Sequence, residues 1–214
     1  SRRLFALALL TLALFVIMPG DEEGYPAALR WSHIAIGSCI LAAVLCSKLW
    51  QWSSEDPAQR INPLMFYHKS FGLLVTALAV HWTYVRVTAP MPRSLPGSPS
   101  LPVQLHPAQL LVKKLVWYCM HAVVPLLGLT GLGMGYFGGK GVPFFFGILI
   151  PGIETPNGAV AKPSHDIHVI LGKLLCCLIF LHVSGSTVAW LEGQPVVRRM
   201  LPTQLLFLTK LRQT

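Results

Sequence analysis

Long apolar stretches, separated by polar or proline-rich connections, dominate the pattern of this 214-residue chain. Four of them reach the ~20 residues that cross a hydrocarbon core of ~30 Å as a helix, and none shows the two-residue alternation of a barrel strand. They cover residues 31–52, 67–87, 111–136 and 168–191. The pattern predicts an all-α integral membrane protein, a four-helix transmembrane bundle that passes the bilayer several times.

A shorter apolar segment, residues 4–18, precedes the first predicted span. As a helix it would rise only ~22 Å, so we predict a peripheral or extra helix: a short N-terminal hydrophobic helix added to the bundle. The predicted domains are an N-terminal hydrophobic segment at 1–24, a four-helix membrane domain at 25–202 and a basic C-terminal tail at 203–214. Residues 89–107 are rich in proline and are predicted to form an extended connection.

Composition supports a membrane protein. Hydrophobic residues make up 53% of the chain and charged residues 12%, and mean hydropathy is +0.58, whereas soluble domains carry about 25% charged residues. The formal net charge of +9 does not indicate nucleic-acid binding, because the basic residues flank apolar stretches and form no stripe with interleaved aromatic residues. We expect them to contact the headgroups of membrane lipid.

The spacing of the cysteines argues against two kinds of cysteine-based site. All five lie within apolar stretches and form neither a CxxC nor a CxxCH pattern: Cys39, Cys46, Cys119, Cys176 and Cys177. This argues against covalently attached c-type haem and against a zinc finger.

Four histidines near the ends of predicted spans form two pairs by membrane depth. His168 and His182 are separated by fourteen residues, which in a helix rise ~21 Å and return to within about 40° of the same face. Because successive spans cross in opposite directions, His68 lies at the depth of His168, and His33 at the depth of His182. Two imidazoles on either side of a flat ligand hold a six-coordinate b-type haem. A lone histidine near a helix end is more often interfacial or hydrogen-bonded, but two pairs favour two bis-histidine centres.

The other four histidines are weaker ligand candidates. His165 lies about 100° from the face of His182, so we interpret it as a residue that supports the site or lies on the surface. His81 and His121 fall within helices, where they can hydrogen-bond a haem propionate, bind a quinone or contact a neighbouring helix. His106 lies in the proline-rich connection and is expected to be solvated. A metal transporter would also use histidines, but it usually needs acidic partners, and the predicted spans have almost none.

An ordered series of short motifs extends from about residue 25 to residue 202. It comprises His33 after an aromatic residue, HKSFGLL from His68, Arg86 followed by Pro90, Tyr118 with PLLG from Pro125, VPFFFG with Pro151, the His168 to His182 spacing, and RRMLP from Arg198. In order and spacing these motifs resemble the bacterial-type, four-helix cytochrome b561 family. That family includes the membrane cytochrome subunits of some hydrogenases and formate dehydrogenases.

The resemblance implies two haem b groups, one held by His33 and His182 and the other by His68 and His168. It also implies electron transfer between a membrane quinone and a second donor or acceptor. In one branch of the family, superoxide is oxidised with quinone as the electron acceptor.

Two functions follow from the resemblance. The first is a freestanding oxidoreductase whose small donor is superoxide or a quinol, with Lys140 and Lys162 positioned to attract an anionic donor. The alternative is an electron-relay or structural cytochrome b subunit that docks onto other subunits of a larger membrane complex. Trp82 stands where the family often has arginine, and Lys114 where histidine is common. These two departures bear on the propionate contacts and the handling of substrate more than on the haem ligands.

Overall fold

The computed structural model describes residues 25–56, 62–89, 107–193, 196, 200 and 201. The predicted N-terminal helix, most of the proline-rich connection with His106, and the basic C-terminal tail lie outside the described residues. The predicted domain boundaries therefore stay predictions.

Four long helices account for most of the described residues. They are α1 (Ala27–Ser53), α2 (Asn62–Thr88), α3 (Pro107–Phe137) and α4 (Gly158–Leu191). Each contains a stretch that is long and apolar enough to cross a membrane. The predicted all-α, multi-pass integral membrane protein is confirmed.

The helices begin earlier than the apolar pattern predicts, because polar or charged residues occur in their N-terminal parts, as at Arg30 in α1 and Lys162 in α4. Helix α3 begins at Pro107, whose missing N–H is not needed in the first turn. Helix α4 begins at Gly158, where the side-chain oxygen of Asn157 accepts a hydrogen bond from the backbone N–H of Ala159 at 3.1 Å. Hydropathy detects only the apolar part of such a helix, so it placed the start of α4 at residue 168.

A short β-hairpin lies in the connection between α3 and α4. Strands β1 (Val142–Phe144) and β2 (Ile148–Ile150) pair antiparallel, with Phe144 opposite Ile148. A single turn of 3₁₀ helix joins them, and within it Phe146 has a left-handed backbone with φ 65°. Both strands consist mainly of β-branched, aromatic and other apolar residues, which suit a pleated strand.

The chain divides into two compact units, and every helix contributes residues to both. Of the described residues, the first unit, here called the terminal unit, comprises 25–35, 81–89, 107–117, 180–193, 196, 200 and 201. The second, here called the central unit, comprises 36–56, 62–80 and 118–179.

Glycines bring helix α3 close to its neighbours within the central unit. A Cβ atom at Gly128 would overlap the side chain of Thr76 on α2, and one at Gly131 would lie 3.3 Å from Cε1 of His168 on α4. Small residues let membrane helices approach in this way. The apolar core around these contacts consists of Ile40, Ala43, Val75, Leu78, Val123, Val142, Leu175 and Leu178.

Candidate functional site

Two of the predicted histidines meet within the central unit. His68 of α2 and His168 of α4 have ring centroids 6.1 Å apart, with the ring planes at 89°. Both side chains are half-buried. We call them the central histidine pair.

Hydrogen bonds to backbone carbonyls fix which nitrogen of each ring in the central histidine pair carries hydrogen. Nδ1 of His68 lies 2.9 Å from the carbonyl oxygen of Ala43, and Nδ1 of His168 lies 3.1 Å from that of Leu127. A carbonyl oxygen only accepts, so each Nδ1–H must be the donor. The lone pair of each neutral ring is then on Nε2, as a metal-ligating imidazole requires.

The other two predicted histidines meet within the terminal unit. His33 of α1 and His182 of α4 have ring centroids 6.0 Å apart, with the ring planes at 53°. His33 is half-buried and His182 is exposed. One helical turn before His33, Arg30 is only 4% exposed and donates hydrogen bonds to the carbonyl oxygens of Tyr25 at 2.7 Å and Leu201 at 3.3 Å. We call His33 and His182 the terminal histidine pair.

The separation of the rings in each pair suits two axial ligands of one iron. A metal–imidazole bond is about 2.0–2.1 Å long and the ring centre lies about 1.1 Å beyond the nitrogen, so two opposed imidazoles have centroids about 6 Å apart. The measured separations are 6.0 and 6.1 Å. Among the described residues, no group of three or more His, Cys, Asp or Glu side chains could hold a metal ion. The pairs therefore fit a metal whose remaining ligands come from a macrocycle.

Comparison with known families gives a match over most of the chain. The family model described as prokaryotic cytochrome b561 matches residues 24–203. The chain belongs to the prokaryotic cytochrome b561 family. It is thus a membrane b-type cytochrome of electron transfer, which binds haem b and contacts membrane lipid. No curated protein matches the sequence.

In this cytochrome b561, His165 lies on the exposed surface. Its Nδ1–H donates to the carboxylate of Asp166 at 3.2 Å, and Nζ of Lys162 donates to the same carboxylate at 3.0 Å. Lys140, the other lysine predicted to attract an anion, is exposed, and no carboxylate pairs with it in the described ranges.

Sequence reasoning missed several groups that contact the histidines of this cytochrome. The carbonyls of Ala43 and Leu127 carry no side-chain signal, so no motif could have pointed to them. Thr130 and Gly131 also contact His168. Their only signal is that both are small residues in a glycine-rich part of α3, where a neighbouring helix can approach closely.

Proposed function

We propose that this cytochrome b561 holds two haem b groups and carries electrons between a quinone of the membrane and a second donor or acceptor. The observation that carries the proposal is the occurrence of two separate histidine pairs, each with the ring separation that two axial ligands of one iron require. One ring pair alone would suit a single haem. Two pairs, contributed by three different helices, suit a protein that passes electrons on.

Each pair has a defined part in this proposal. His68 and His168 would hold one haem b, and their Nδ1–H bonds to carbonyls keep the lone pair of each ring on Nε2. His33 and His182 hold the other. When bound, haem b supplies one-electron redox chemistry. The protein itself supplies the axial ligands, their orientation and an apolar environment.

A quinone is an apolar redox carrier that shares the membrane with the protein, which supports it as one partner. The second proposed partner is a small anionic donor such as superoxide, acting at the central unit. The exposed ammonium of Lys140 supports this part of the proposal, because a positive charge without an adjacent carboxylate attracts small anions. Lys162 gives less support, since Asp166 offsets its charge.

Haem counting in single-histidine variants tests the ligand assignment. We expect two haem b groups per chain in the unmodified protein, and one each in His182→Ala and His168→Ala, because the removal of an axial ligand affects only its own pair. The measurement is a reduced-minus-oxidised spectrum with haem stoichiometry on protein purified in detergent. His165→Ala is the matched control and should keep both haems, since His165 bonds to Asp166 on the surface.

Three results would contradict the proposal. One haem per chain in the unmodified protein would remove the di-haem assignment. Loss of haem in His165→Ala with full retention in His168→Ala would make His165 the ligand. Loss of both haems in each variant, from protein that remains monodisperse, would contradict two independent pairs.

A further inference from the structure

One short segment of α3 surrounds the ring of His168 on its Nδ1 side. The carbonyl oxygen of Leu127 lies 3.1 Å from Nδ1, and the hydroxyl oxygen of Thr130 lies 3.2 Å from the same nitrogen. Next along the helix, a Cβ atom at Gly131 would lie 3.3 Å from Cε1 and 3.6 Å from Nδ1. Two acceptors and a missing side chain thus meet at one edge of the ring.

The direction of the hydrogen bond to Thr130 follows from counting hydrogens. The Thr130 hydroxyl has a single hydrogen, and its oxygen lies 2.8 Å from the carbonyl oxygen of Leu126 but 3.2 Å from that of Leu127. The hydrogen is donated to the closer carbonyl, which leaves a lone pair directed at His168. The Nδ1–H of His168 is therefore shared between Leu127 and Thr130.

This second acceptor distinguishes His168 from the other three proposed ligands. The Nδ1–H of His68 donates to the backbone of Ala43. Within the described ranges, no hydrogen bond reaches the ring nitrogens of His33 or His182. A substitution at Thr130 can therefore alter the hydrogen bonding of one proposed ligand, His168, without altering the backbone.

We propose that Thr130 is a positioning residue that holds the His168 ring and lowers the reduction potential of the haem on the central histidine pair. The inference rests on the proposed function. An additional acceptor on Nδ1–H draws the proton away from the ring and makes Nε2 a stronger electron donor. Stronger donation stabilises ferric over ferrous iron, which is one of the ways in which a protein tunes haem. Gly131 contributes by leaving room for the ring.

The test is a redox titration in the His182→Ala background, where the haem of the central histidine pair is the only one expected. Thr130→Val replaces the hydroxyl by a methyl group of similar size. We expect it to shift the reduction equilibrium toward ferrous haem by roughly fivefold, about 40 mV for a one-electron couple. Thr130→Ser keeps the hydroxyl and should restore the original potential. Electron paramagnetic resonance of the ferric haem gives a second readout.

The matched control is Thr187→Val. Thr187 lies on α4 and its hydroxyl donates to the carbonyl oxygen of Val183 at 2.9 Å, the same type of bond within a helix. It is exposed and forms no hydrogen bond with a histidine of the described ranges. It should leave the potential unchanged. Gly131→Ala should alter the resonance spectrum by displacing the His168 ring. Its control is Gly172→Ala, because no atom lies within 4 Å of a Cβ at Gly172.

The outcomes of these experiments separate the role of Thr130 from the two-haem proposal. An unchanged potential and spectrum in Thr130→Val, with haem retained, overturns the role of Thr130 and leaves the two-haem proposal intact. If Thr130→Val loses haem, the Thr130→Ser variant provides the test. The original potential in Thr130→Ser supports the role of the hydroxyl. Loss of haem or a shifted potential in that variant overturns it. Retention of two haems in His168→Ala instead overturns the proposed function itself.

Discussion

At the scale of single residues, Arg30 shows how a buried charge is held at one end of a membrane helix. Its guanidinium is 4% exposed and donates from Nε to the carbonyl oxygen of Tyr25 and from Nη1 to that of Leu201. Leu201 is 171 residues away in sequence, so this contact joins the start of α1 to the chain beyond α4. Hydrogen bonds of charged donors contribute about 1.5–3 kcal/mol each.

We expect Arg30→Met to lower the free energy of unfolding by about 2–4 kcal/mol, because both carbonyls lose a charged donor. Thermal unfolding in detergent, followed by circular dichroism, measures the change. Arg86→Met is the matched control. Its guanidinium carbon lies 6.0 Å from the ring centre of Trp117, and such a contact contributes only about 0.5–1 kcal/mol where it is exposed. Equal losses in the two variants would contradict the role given to the Arg30 hydrogen bonds.

At the scale of elements, the turn of the hairpin between α3 and α4 packs one aromatic residue against α2 and leaves the next one exposed. Phe145 packs against α2, with its ring centroid 5.1 Å from that of Phe71 and 6.5 Å from that of Phe66. Phe146, the next residue, is 61% exposed and has φ 65°. A left-handed backbone costs about 1–2 kcal/mol for a residue with a Cβ atom. The packing of Phe145 and the pairing of the two strands both stabilise this turn.

This backbone conformation predicts that a glycine variant at position 146 is more stable than an alanine variant, the reverse of the usual order within a helix. We expect Phe146→Gly to be more stable than Phe146→Ala by about 1 kcal/mol, because only glycine adopts a positive φ without a steric penalty. Midpoints of thermal unfolding provide the comparison. At Val188, an exposed position within α4, the order should reverse, with Ala more stable than Gly by about 1 kcal/mol. The same order at both positions would contradict a left-handed Phe146.

The elements also show what the sequence could and could not predict. Long apolar stretches determine the four helices, because hydropathy and length alone identify a span. The helical periodicity and the alternating direction of the spans also predicted that His68 lies near His168 and that His33 lies near His182. Their role as haem ligands stays a prediction.

Other features depend on information that a linear pattern lacks. The strands of the hairpin have three residues each, which is too short for a periodic signal. Thr130 is 38 residues from His168 in sequence, and the packing of α3 against α4 is what brings the two together.

At the scale of the whole molecule, the formal net charge of +9 favours the electrostatic attraction of an anionic donor. The local arrangement of charges is more selective than the total. Lys162 forms an ion pair with Asp166 at 3.0 Å. Lys140 is exposed, and no carboxylate pairs with it in the part of the chain that the structure describes. Of the two lysines that the sequence singled out, Lys140 is therefore the one whose charge is available to a donor.

For superoxide as the proposed donor, we expect Lys140→Gln to slow the reduction of the protein roughly two- to threefold at low ionic strength. The reason is that one exposed charge several ångströms from the approaching anion is worth about 0.5 kcal/mol in water. Rapid generation of superoxide and the haem absorbance at a series of salt concentrations measure the rate. The difference should vanish near 1 M salt, where the Debye length is about 3 Å. Lys162→Gln, the matched control, should have a smaller effect, since Asp166 offsets the charge that it removes. An equal effect of the two substitutions, or one that persists at high salt, would show that Lys140 does not attract the donor through its charge.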